Sequence, residues 1–127
     1  MNMLSSEVPI RLADLPEYLG AVLVSSRTIT SMEKFREGNL SCDVAFSHLE
    51  ELRGYFRETN PCFLDYVQFV HKTNDENYKE LMKKVASAFE CAEKEIKIGK
   101  AGKGIEEIIA LADNFGDVCL AQARHVY

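Results

Sequence analysis

The chain has no tryptophan, three prolines among 127 residues and no apolar run long enough to span a membrane, which takes roughly 18 residues. No tryptophan and so few prolines favour helices over the many short, turn-separated strands of a β-sandwich. Cationic charge is also scarce. Fifteen Lys and Arg stand against twenty Asp and Glu, for a formal charge of −5 and a pI near 5.2. Phosphate binding needs clustered cations, so nucleic acid is not an expected partner. An acidic surface favours solubility and can steer a small protein toward a basic partner.

Catalytic and metal motifs are missing as well. The cysteines, Cys42, Cys62, Cys91 and Cys119, form no CxxC and do not pair with histidine at ligand spacing, so buried reduced thiols are expected. A disulfide would require an oxidising compartment. The histidines, His48, His71 and His125, are scattered, with no HExxH and no Glu-x-x-His. Adjacent carboxylates such as Glu50-Glu51 point about 100° apart on a helix and do not converge. Neither enzymatic activity, nor a metal, nor a cofactor is expected. Residues 1–11 carry Glu7 and Pro9 and lack the apolar core of a secretory signal, which predicts a cytoplasmic protein.

What the sequence does contain is five consecutive segments with helical apolar spacing. With 46% hydrophobic and 28% charged residues there is material for one core. The expected fold is an all-α, compact single domain over residues 1–127: about five mostly antiparallel helices with short connections, after a lead-in at 1–13. Helices one, four and five are expected to be the longest.

Helix one should start with Asp14 as cap, Pro16 in the first turn and Glu17 closing a capping box. Its main buried stripe is predicted as Leu12, Leu15, Leu19, Val22, Ser26 and Ile29, ending at Gly38-Asn39. A second apolar line, Ala21, Val24, Thr28, Met32 and Phe35, implies a central helix or one that touches another chain. Ser41 is expected to cap helix two, which should bury Cys42, Ala45, Phe46, Leu49, Leu52 and Phe56. Asn60-Pro61 should open helix three, with Phe63, Val67 and Val70 inward. Helix four, capped by Thr73 or Asn74, should bury Tyr78, Leu81, Met82, Val85, Phe89, Ala92 and Ile96. Its outer face is predicted to be laced by the pairs Glu80–Lys84, Glu90–Lys94 and Glu93–Lys97. Helix five should bury Ile105, Ile108, Ile109, Ala112, Phe115, Cys119 and Val126.

Two groups of residues are candidates for function. Between helices four and five, Lys100, Gly102 and Lys103 in the Gly99–Gly104 string could hold an anion with freed amides at a helix N-terminus. The string departs from a P-loop in spacing, in lacking Ser/Thr and in following a helix, and an ordinary interhelical turn would have the same composition. The second group is apolar or aromatic residues off the core stripes: Val24 and Phe35 on helix one, and Val44, His48 and Tyr55 on helix two. These are candidate partner-binding positions or second core faces. The expected function is a small protein-binding module (inhibitor, immunity, chaperone or adaptor in type) acting through helical surfaces, with a homodimer through helix one also possible. The alternative is a binder of a small ligand or anion, in an interhelical pocket or at the Gly99–Gly104 loop.

Overall fold

The computed structural model describes residues 9–74 and 77–126. Among them a 3-10 turn, Leu12–Asp14, leads into five helices: α1 (Leu15–Arg36), α2 (Cys42–Arg53), α3 (Pro61–Asn74), α4 (Tyr78–Ile98) and α5 (Lys103–Ala123). The bundle is all-α, and α1, α4 and α5 are the long helices. No described helix is long and apolar enough to cross a membrane.

Local chemistry sets most of the boundaries. Gly38 and Gly99 take positive φ, 81° and 74°, and end α1 and α4 in the left-handed turn that a side chain resists. After α1, Gly38 N donates to Phe35 O and Asn39 N to Lys34 O, so the last carbonyls are satisfied. Ser41 Oγ accepts from Val44 N at the start of α2, and Asn60 Oδ1 accepts from Cys62 N at the start of α3.

Two caps differ from the sequence expectation. Asp14 makes no capping bond; its carboxylate accepts from Arg11 Nε at 3.2 Å, and Glu17 accepts from Asn60 Nδ2 instead of closing a box. The 3-10 turn before α1 already engages the Asp14 amide, which bonds to Arg11 O. The cap of α4 is Asn77, accepting from Glu80 N at 2.9 Å, because α3 runs on through Thr73 and Asn74.

The core is one cluster. Phe56, just beyond α2, lies at its aromatic centre, with ring centroids 5.4 Å from Phe63, 5.4 Å from Phe89 and 4.7 Å from Phe115. Burying one such ring stabilises the fold by about 1.5–3 kcal/mol. Helix α4 buries Leu81, Val85, Phe89, Ala92 and Ile96 as expected, while Tyr78 is exposed and Met82 half-buried. Of its expected outer pairs, Glu93 meets Lys97 at 3.9 Å. On α2 the buried set is Ala45, Leu49 and Leu52, with Cys42 exposed and Phe46 half-buried. Val126 lies beyond α5 and pairs with Ile10 in an isolated parallel bridge, where Ile10 N donates to His125 O at 2.9 Å. The lead-in from Ile10 is therefore part of the fold.

Helix α1 reverses the sequence expectation. Its buried residues are Tyr18, Ala21, Ser25, Thr28, Ser31, Met32 and Phe35. Leu12, Leu19 and Ser26 of the predicted main stripe are exposed, and Leu15, Val22 and Ile29 only half-buried. The cause is close packing. A Cβ added at Gly116 of α5 would lie 3.1 Å from Ser25 Cβ, so the two helices meet through small side chains. Leucines in that seam would hold the axes apart. The helix is central, packing on α5, α2 and α3.

Candidate functional site

The Gly99–Gly104 turn does hold an anion, and the anion belongs to the chain. Glu95, in the last turn of α4, accepts from Gly102 N at 2.7 Å, Gly104 N at 2.6 Å and Ile105 N at 2.9 Å. Cys91 Sγ donates to the same carboxylate at 3.2 Å. Burial opposes the charge on Glu95, but the Ile105 amide, the Cys91 thiol and the Gly104 and Gly102 amides outweigh it and hold the carboxyl below its ordinary 4.5. A Cβ at Gly104 would stand 2.6 Å from Ala92 N and 2.7 Å from Cys91 C, so only glycine lets α5 start against α4. The anion-binding expectation for Lys100, Gly102 and Lys103 is corrected accordingly. The α5 amides that would receive an external anion are already bonded to Glu95, and Lys103 reaches Glu107 at 4.0 Å. The helix-start electrostatics were legible in the sequence. The occupant four residues before the turn was not.

The five partner-binding candidates do not form one patch. Phe35 is 7% exposed and belongs to the core, and a buried ring offers no surface to a partner. Val24 and Tyr55 are half-buried and packed against the core; the Tyr55 hydroxyl lies where a Cβ on Gly20 would stand, 2.8 Å away. His48 faces α1, where its Nδ1 shares a hydrogen bond with Ser31 Oγ, and Thr28 Oγ donates both to Val24 O and to His48 O. Burial, and then the Arg27 charge, lowers the His48 pKa from its ordinary value. Arg27 and Glu51 form an ion pair across the same α1–α2 seam. Ser31 and His48 resemble part of a nucleophile–base pair, but the serine is only 4% exposed, inside a helix–helix seam that a substrate cannot enter. Val44 alone of the five is exposed.

A second polar cluster joins α1, α3 and α5. Tyr18 OH donates to Asp65 Oδ2 at 2.5 Å, and buried Gln122 hydrogen-bonds the same carboxylate. Burial raises the Asp65 pKa, and the Tyr18 and Gln122 bonds pull it part of the way back. Burial and this carboxylate together push the Tyr18 phenol upward. Among the described residues, no three His, Cys, Asp or Glu side chains are placed to hold a metal ion.

The surface that sequence reasoning missed is the outer side of α1. Leu19 and Leu23, one turn apart, are 45% and 71% exposed, Pro16 is exposed one turn before Leu19, and Leu12 is exposed in the preceding 3-10 turn. The signal was present in the small residues at 21, 25 and 28, which mark a close-packed face and leave the leucines outside. No family model, curated protein or solved structure matches the chain, so its function is read from these surfaces and contacts.

Proposed function

We propose that the protein is a non-catalytic binding module that docks another protein through the outer face of α1. One observation carries this reading. Two leucines at i, i+4 spacing stand exposed on a helix whose opposite face is buried and meets α5 through the small side chain of Ser25. Isolated exposed leucines are ordinary, but an aliphatic i, i+4 pair flanked by an exposed proline and a further leucine makes the apolar ridge by which a helix docks in a groove. The partner surface it fits is apolar and shaped to receive an i, i+4 ridge.

The test is the double variant Leu19→Glu/Leu23→Glu, compared with wild type in mass-spectrometric capture from native lysate and in light scattering. The expected result is an unchanged fold with loss of one stoichiometric partner. Identical capture by both proteins overturns the reading. A wild-type dimer that becomes monomeric in the variant reassigns the face to a second copy of the chain.

A further inference from the structure

We draw no further inference here: the strongest candidate, the side-chain cluster between α1 and α3 in which Tyr18 OH donates to Asp65 Oδ2 at 2.5 Å, rests as a pH-sensitive latch only on the raised pKa of Asp65, and nothing else among the described residues marks it as a switch or a ligand site.

Discussion

The two seams of α5 follow opposite rules. Toward α4 the partner helix turns large residues inward, Leu81, Val85, Phe89 and Ile96, and the half-buried carboxylate of Glu95 accepts from three backbone amides. Toward α1 the contact is made through a small side chain, Ser25 against Gly116, and leucines stay outside. On that side the Ser25 hydroxyl is buried with no hydrogen-bond partner. The α4 seam is thus complete within itself, whereas the α1 seam gains close approach and leaves both a polar group and an aliphatic surface unsatisfied. Close packing of small residues is one way a helix keeps its large residues free for something else.

The sharpest way to break the α4 seam is Gly104→Val. The added carbons would meet backbone atoms of Ala92 and Cys91 that cannot move independently. A loss of about 3 kcal/mol in urea unfolding is expected, and a loss under about 0.5 kcal/mol would mean the helices are not so close. Ala21→Leu is the equivalent insult to the α1 seam. Ala21 is fully buried one turn before Ser25, and about 1–3 kcal/mol should be lost if that face is truly closed.

Glu95→Ala removes the acceptor of three amides and should cost about 1–2 kcal/mol at pH 7. Its pH dependence has a definite sign. A carboxyl held below its ordinary 4.5 contributes stability that is full above that value and is lost as pH falls through its lowered folded value. Asp65 is raised, so its contribution runs the other way, present at low pH and lost as pH rises through its folded value. Urea titrations from pH 3 to 7 should therefore show the variant losing less stability on acidification than wild type. Parallel curves for the two proteins would remove Glu95 from that role.

Ser25→Ala deletes an unpartnered buried hydroxyl without adding bulk against Gly116. A gain of about 0.5–1 kcal/mol is expected, and a loss would reveal a partner for that oxygen. The smallest effect belongs to Leu19→Glu/Leu23→Glu, which should shift stability by less than about 0.5 kcal/mol per site because neither side chain is in the core. A large loss would show that the outer face of α1 is part of the fold.

Most of the fold was legible because its signals are local. Ser41, Asn60 and the stops at Gly38 and Gly99 act within one helical turn, and the apolar period of α4 and α5 is regular enough to survive tertiary packing. The face of α1 was not legible in the same way. Three- and four-residue spacing puts Leu12 and Leu19 on the main stripe of α1, whereas the deciding contact lies far along the chain, at Gly116, where a Cβ would stand 3.1 Å from Ser25 Cβ. The candidate site failed for related reasons. The composition of the Gly99–Gly104 string fits an ordinary turn as well as an anion site, and nothing in its spacing reports that the amides near Gly102 receive the carboxylate of Glu95.

The Glu95 clasp also has a kinetic meaning. It joins groups seven to ten residues apart, so closing it takes little chain entropy, whereas the Ser25–Gly116 contact must bring together opposite ends of the molecule. The α4–α5 hairpin is thus the natural nucleus, with α1 laid on afterwards. Glu95→Ala should slow refolding in stopped-flow measurements, while Ser25→Ala should act mainly on unfolding. Until α1 arrives, the freshly formed hairpin shows solvent the bare flank of α5, which makes it the stage at which this chain is most exposed to misassociation.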